Sequence, residues 1–252
     1  MTTPSIAPEA FRAFEHEGWQ KVSQRYHHAF ASLTSQAVVP LLDAAEVSAG
    51  VRVLDVAAGP GYVAGVAADR GAEVIGIDFS QAMVAAARRH YPKGDFREGD
   101  AEDLPFGAAV FDAVVMNFGL LHLGRPEWAL AEAHRVLRPG GKYAFTVWAR
   151  PEEAIGFEIV LNAIHAHGKV DVGLPQGPSF SVSAMRVSAI VRCWRRVSFL
   201  RRWILFHKRG GLARPTSCSK ICWRARCGPQ ACCAPKRLRP AIRFAHLFIK
   251  LC

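Results

Sequence analysis

Apolar residues in the first 150 positions gather in short runs at 51–56, 73–77, 110–117 and 142–148, with a shorter, more polar run at 95–98. Each is closed by polar, proline or glycine positions. Runs of this length, rich in Val and Ile, predict strands, and their near-continuous apolarity predicts burial on both faces. Between them, apolar residues recur at helical spacing. Val63, Val66 and Ala67 follow the first strand. Ser80 is placed to cap a helix over 81–89 that Pro92 stops, Pro126 opens a helix reaching Leu137, and 154–167 form another. Residues 138–141 read as the turn before the fifth strand. Upstream, Phe11, Phe14, Trp19, Val22, Tyr26 and Phe30 recur every three to five residues and predict a helix over 8–34. A second helix, 36–47, leads into the first strand. Strand and helix alternate, so the expected fold class is α/β: a doubly wound, mostly parallel sheet with helices on both faces.

The turn after the first strand carries the first chemical signal. Ala57-Ala58-Gly59-Pro60-Gly61 is built of small residues. Glycine lets the backbone bend sharply and lets a ligand approach with no Cβ in the way. The amides opening the next helix point into the space above such a turn. The second strand ends at Asp78, 23 positions after Asp55, close to the ~20 that separate glycines from a ribose-binding acid in dinucleotide folds. A carboxylate accepts two O–H donors at once, which suits a ribose diol. One strand later, Gly99-Asp100-Ala101-Glu102-Asp103 offers a polar edge where a base can be read. Asn117 closes the fourth strand at its carboxyl end, where open α/β sheets bind ligands. No metal-ligand spacing is visible in 1–180.

Five segments carry a resemblance: LDVAAGPG (54–61), VIGIDFSQAMVAAAR (74–88), GDAEDLPF (99–106), FDAVVMNFGLLHL (111–123) and HRVLRPGGKYAFTVW (134–148). In this order and spacing they resemble the class I S-adenosylmethionine-dependent methyltransferases, in particular the small-molecule group that includes the ubiquinone and menaquinone C-methyltransferases. The resemblance covers residues 10–180 and implies a Rossmann-like fold. It implies S-adenosyl-L-methionine as cofactor and methyl transfer to a small-molecule C, O or N acceptor. Because the donor is already activated, no catalytic nucleophile need appear. The implied cofactor set begins with Asp78 on the ribose hydroxyls and Gly59 and Gly61 beside the methionine part. Asp55 orients that loop or the donor's amino group. Phe79 and Ala101 enclose the adenine and Asp100 bonds its amino group, with Glu102 and Asn117 alongside. Tyr26, on a lid helix, either touches the cofactor or packs, and Met83 either faces the cofactor or fills the core. Ala57 departs from the family by replacing its first loop glycine, which argues against a contact needing positive φ there. His122, in the loop after the fourth strand, is a candidate general base without a partner visible in the sequence. His134, His27 and His28 read as packing positions.

At 252 residues, half of them hydrophobic, the chain suits one α/β domain with a sizeable core. Its first residues lack the cationic start and apolar run of a signal peptide, and no window reaches the ~18 apolar residues of a membrane span. A cytoplasmic protein is expected. Nothing in the pattern sets an oligomeric state. The net charge of +11 is unevenly spread: residues 1–180 hold all 21 acids against 15 Lys and Arg, while 181–252 hold 17 Lys and Arg, no acid and all seven cysteines. The plan that follows is an N-terminal helical lid (1–50), a cofactor domain (51–180) and a basic Cys/Arg-rich tail (181–252). The tail has three readings. A nucleic-acid arm explains its charge. A metal module using Cys218, Cys222, Cys227, Cys232 and Cys233 lacks paired C-x-x-C spacing. Out-of-frame translation fits best: with suitable synonymous codons, one nucleotide inserted after codon 180 yields a capped helix followed by a strand. On that reading the strands after the fifth are missing or disordered and the chain is marginally stable. The functional rivals are an NAD(P)-dependent oxidoreductase, since strand, glycine turn and distal acid are shared, and a nucleic-acid-binding protein acting non-specifically through the tail.

Overall fold

The near-continuous apolar runs become central strands: β1 (Arg52–Val56), β2 (Glu73–Asp78), β3 (Asp95–Glu98), β4 (Phe111–Asn117) and β5 (Leu137–Trp148). They pair in parallel in the order β3-β2-β1-β4-β5. The computed structural model describes residues 7–148, 155–169, 172–175, 177, 206–207 and 246–251. Its helices are α1 (Pro8–Ala29), α2 (Ala31–Thr34), α3 (Val38–Ala44), α4 (Tyr62–Asp69), α5 (Gln81–His90), α6 (Pro126–Val136) and α7 (Ile155–His167).

Successive strand residues point to opposite faces. Leu54, Val56, Val114, Met116 and Phe145 therefore pack with Leu130, Ala133 and Val136 of α6. Their neighbours Val53, Ala113, Val115 and Ala144 pack with Leu41 and Leu42 of α3 and Val63 and Ala67 of α4. Both faces are covered, which is why these strands carry so little polar alternation. From β1 the chain winds outward to β2 and β3; β4 and β5 lie on the other side of β1. The adjacent carboxyl ends of β1 and β4 mark the switch point, where such sheets open a crevice.

Two expectations are corrected. Residues 138–141 are not a turn ahead of β5 but part of it. The β4 pairing passes from Phe111 opposite Leu137 to Ala113 opposite Lys142, so the extra residues bulge, with Gly140 at φ +82°. The strands beyond β5 are also not missing. Residues β6 (Phe206–His207) and β7 (His246–Leu251) extend the sheet to the order β3-β2-β1-β4-β5-β7-β6. β7 runs antiparallel to β5, from Tyr143 opposite Leu251 to Trp148 opposite His246. The physical reason is twofold. Without a partner, β5 would present a row of unpaired backbone groups. HLFIKL is an apolar stretch free of Pro and Gly, compatible with a pleated ladder. The rest of 181–252, with the cysteine positions and the out-of-frame reading, lies outside the described residues. Among the described residues no helix is long and apolar enough to cross a membrane, and no group of three or more metal-ligating side chains assembles.

Candidate active site

A cavity of about 260 Å³ opens at the carboxyl ends of the strands. Ala57, Gly59 and Pro60 line it from the turn after β1; Asp78 and Phe79 from the end of β2; Gly99, Asp100 and Ala101 from the segment after β3. Asn117, Phe118, Leu121 and His122 contribute from β4 and its loop, and Trp148 from β5. Trp19 and Tyr26 of α1, with Phe30 and Thr34, close it from above. Polar clamps hold α1 in place. Gln20 Oε1 accepts from Ser80 Oγ (3.2 Å) and Ala82 N (2.9 Å), adding a cap to α5 beside Ser80, whose Oγ accepts from Met83 N at 3.3 Å.

The glycine turn divides its labour. Gly59 sits at φ +53° and a Cβ there would meet nothing within 4 Å, so its open side faces the cavity. Ala57 adopts φ +54°, the left-handed region that its side chain argued against. For an L-residue this costs roughly 1–2 kcal/mol. Gly61 is required for another reason than the one expected. At φ +85° it caps α4, and a Cβ would stand 2.8 Å from Phe96 Cζ and 3.1 Å from Tyr91 Cδ2. It serves packing below the turn and does not line the cavity. Asp55 does not line it either. It is fully buried; Oδ2 accepts from Ala64 N at 3.0 Å, while Oδ1 has no hydrogen-bond partner among the described residues. Burial pushes this carboxyl up to about 8. Its one hydrogen bond among the described residues ties β1 to the first turn of α4, just past the glycine turn.

Asp78 is brought into the cavity wall. Oδ2 accepts from Gly59 N (2.8 Å) and Oδ1 from Ser80 N (2.9 Å), so the acid at the end of β2 fixes the glycine turn directly. Burial pushes its carboxyl up to about 6, against the pull of these amides and of His122 and His16. Phe79, Met83, Ala101 and Asn117 line the cavity. Asn117 Nδ2 donates to Thr34 O (3.2 Å) and its Oδ1 accepts from Thr146 Oγ1 (2.7 Å). Tyr26 also lines it, its hydroxyl donating to Thr34 Oγ1 at 3.1 Å and its pKa raised by burial. Asp100 faces the cavity while already accepting from Glu102 N (2.8 Å) and from Arg12 Nη2. Glu102 is a correction. Its carboxylate turns away from the cavity to Arg12 Nη1 and to Arg125 N (2.9 Å), tying α1 to two loops.

Of the aromatic half of the cavity, Trp19 and Phe30 were legible only as part of a helical stripe, and Phe118 and Trp148, stacked with centroids 4.1 Å apart, went unmarked in the sequence. Phe118 and Trp148 stand at carboxyl ends of strands, a positional signal that could have found them. His122 also acquires a partner. Its Nδ1 lies 2.7 Å from Glu15 Oε2, the oxygen that accepts from Trp19 Nε1 at 3.0 Å. Glu15 and Trp19 are four apart on α1 and share one face, but a charged residue inside an apolar stripe gave no pointer. His134 is exposed on α6, and His27 and His28 are exposed on α1; none lines the cavity.

Comparison with known proteins agrees with this geometry. Residues 54–145 match a family model described as a methyltransferase domain. A demethylmenaquinone methyltransferase of Renibacterium salmoninarum is 34% identical over 168 residues, covering 65% of this chain and 68% of that protein. A second protein of that name, from Paenarthrobacter aurescens, is 40% identical over 111 residues, 44% of each chain. The chain thus spans about two thirds of the first relative and under half of the second. A solved structure from Methanococcus maripaludis, described as a candidate S-adenosyl-L-methionine-dependent methyltransferase, superposes with a TM-score of 0.55 over 99% of this chain and 96% of its own, at 14% identity. That likeness speaks for the fold alone. Neither the oxidoreductase nor the nucleic-acid reading is favoured by these matches. With the acid of β2 bonded to an open glycine turn and the relatives agreeing, the chain belongs to the class I S-adenosylmethionine-dependent methyltransferases, enzymes that use S-adenosyl-L-methionine as cofactor.

Proposed function

We propose that the cavity holds S-adenosylmethionine along its β1–β3 side and an apolar aromatic acceptor of the quinone type along its aromatic side, in a cytoplasmic enzyme. The observation that carries this is Asp78: a carboxylate in the cavity wall, directly bonded to Gly59 N, beside open space above that glycine. The residues present fit the cofactor. Asp78 suits the ribose hydroxyls, Phe79 and Ala101 flank a place for the adenine, and Asp100 supplies an acceptor for its amino group. Gly59 leaves room for the methionine part, and Tyr26 and Met83 close on it. Asn117 lies at the junction of the two halves. Glu102 serves by holding Arg12 rather than by contact.

When bound, the cofactor supplies a methyl group on a positively charged sulfur. The chain's own task is to align the acceptor and exclude water; orientation of this kind lowers a barrier by up to ~7–11 kcal/mol. Trp19, Phe30, Phe118 and Trp148 line the cavity with aromatic rings, a lining suited to a flat apolar acceptor. The names of the two relatives favour a demethylated menaquinone-type acceptor. Calorimetry on the full chain tests the reading. We expect heat with S-adenosylmethionine and none with a nicotinamide dinucleotide or duplex DNA at moderate salt. Asp78→Asn should weaken S-adenosylmethionine roughly tenfold to a hundredfold, the loss of a charge-assisted hydrogen bond. Heat with the dinucleotide alone overturns the reading.

A further inference from the structure

We propose that His122, held by Glu15, is the general base of the methyl transfer, and that the acceptor therefore presents a hydroxyl on an aromatic ring. The inference rests on the methyl-transfer reading of the cavity and goes beyond it by assigning the proton's route.

Three observations converge. His122 lines the cavity from the loop after β4, beside Phe118 and Leu121. Its Nδ1 is 2.7 Å from Glu15 Oε2, and Trp19 Nε1 donates to that same oxygen at 3.0 Å. The Trp19 ring meets the imidazole edge-on, centroids 4.8 Å apart at 89°, so the imidazole is fixed in both position and tilt. An oxygen receiving an indole N–H acts as an acceptor, so the imidazole donates from Nδ1. In the neutral imidazole this places the lone pair on Nε2.

Among the described residues no Lys or Arg pairs with Glu15. Arg12 goes to Asp100 and Glu102, and Arg125 goes to Glu9 and Glu102. Among the described residues the hydrogen-bond partners of Glu15 are Trp19 and His122. Among the described residues, the imidazole interacts with the carboxylates of Glu15 of α1 and Asp78 of β2, and Asp78 interacts in turn with His16 of α1.

The step balances. The acceptor's oxygen, or the ring carbon conjugated to it, forms a bond to the methyl carbon. The sulfur–methyl bond breaks and its electron pair stays on sulfur, leaving a neutral thioether. The hydroxyl proton passes to His122 Nε2 and then to solvent. Where the ring carbon is the nucleophile, its displaced C–H proton restores the hydroxyl, so again one proton is released. Glu15 acts through His122 and is a positioning residue.

The test uses the full chain, S-adenosylmethionine carrying a labelled methyl group, and as acceptors a prenylated naphthohydroquinone kept reduced and two simple phenols. His122→Asn should lower kcat by about a hundredfold or more, with S-adenosylmethionine affinity within about threefold of wild type. In His122→Ala, added imidazole should restore part of the loss. Glu15→Gln should lower kcat and Glu15→Asp should recover part of it. Nitrogen NMR of labelled histidine in the ligand-free protein should find the proton of His122 on Nδ1. If His122→Asn loses cofactor affinity as well, the Glu15 variants and the NMR tautomer decide. Near-wild-type kcat in His122→Asn overturns the assignment and leaves the methyl-transfer reading standing. So does an unrescued loss in His122→Ala with affinity intact, or cofactor binding without transfer to any of these hydroxyarenes. A wild-type chain that binds no S-adenosylmethionine overturns both.

Discussion

Ala57 and Phe118 both hold a left-handed backbone, at φ +54° and +58°, although neither is glycine. They sit at the rim of the cavity and their turns interlock. A Cβ on Gly119 would stand 2.8 Å from Ala57 Cβ and 2.7 Å from Met116 Cγ, so packing around Gly119 keeps both turns where they are. Strain of this kind persists where surrounding structure over-determines it, and it gathers at functional sites. Below the same turns lie two buried acids, Asp78 pushed up to about 6 and Asp55 up to about 8. Both exceed the ~4 of an unfolded carboxyl. The folded chain therefore binds more protons than the unfolded one between those values. This pair's contribution to stability is fully present below about pH 4 and is lost as pH rises through 6 and then 8. Cofactor affinity runs the other way, because hydroxyl donors need an ionised Asp78. We expect calorimetric affinity for S-adenosylmethionine to climb with pH, by up to about tenfold per unit, and to level off above about pH 6. In Asp78→Asn the profile should be flat. A wild-type profile without that rise contradicts the role given to Asp78.

At the scale of elements, α1 is unusual in how little apolar surface it buries. Phe11 and Ser23 are its buried residues among those described, while Phe14 and Val22 remain exposed. It is held instead by side-chain clamps: Arg12 on Asp100 and Glu102, Gln20 on α5, and Glu15 on His122. A helix fastened by a few polar contacts rather than by a wide apolar face can lift as a unit, which suits a cover over a ligand cavity. Arg12→Ala should cost about 1–3 kcal/mol, since it removes a cation from the buried Glu102 carboxylate. It should also raise the cofactor's dissociation rate and speed limited proteolysis within residues 8–29; unchanged rates in both would show that this clamp does not hold the cover. The same contacts explain what could be read from the chain and what could not. β1 to β5, α4, α5 and the acid at Asp78 follow from periodicity and spacing within some 30 residues, and they were legible. The Arg12 and Glu15 clamps join residues 88 to 107 positions apart, where local spacing carries no information. Gly61 was legible as a glycine but not in its purpose, because Phe96 and Tyr91 reach it only in the folded core.

For the whole molecule, the question is what completes the sheet beyond β5. A lone β5 edge would leave backbone groups of a central, apolar strand open to water or to another chain. Pairing with β7 answers this, with Phe145 opposite Ile249 at the middle of the ladder. That a strand from the arginine-rich region fills this place does not require the region to be in its original reading frame. Ladder bonds come from the backbone, so a short apolar stretch that reaches the edge in register suffices. Such pairing should be sensitive to the backbone and less so to side-chain identity. Ile249→Pro removes one N–H and fixes φ in the middle of the ladder. Leaving a group of the buried strand β5 without its ladder bond costs about 1–3 kcal/mol, which in a domain of this size lowers the melting temperature by about 2–12 °C. Hydrogen exchange should show the β5 amides that face β7 protected in the wild-type chain and opened in Ile249→Pro. Affinity for S-adenosylmethionine should hold within about threefold, because position 249 pairs with Phe145 and not with Trp148 at the cavity. If those β5 amides exchange freely in the wild-type chain, β7 does not pair there. The uncovered edge and marginal stability expected from the tail's composition would then be the property of this molecule.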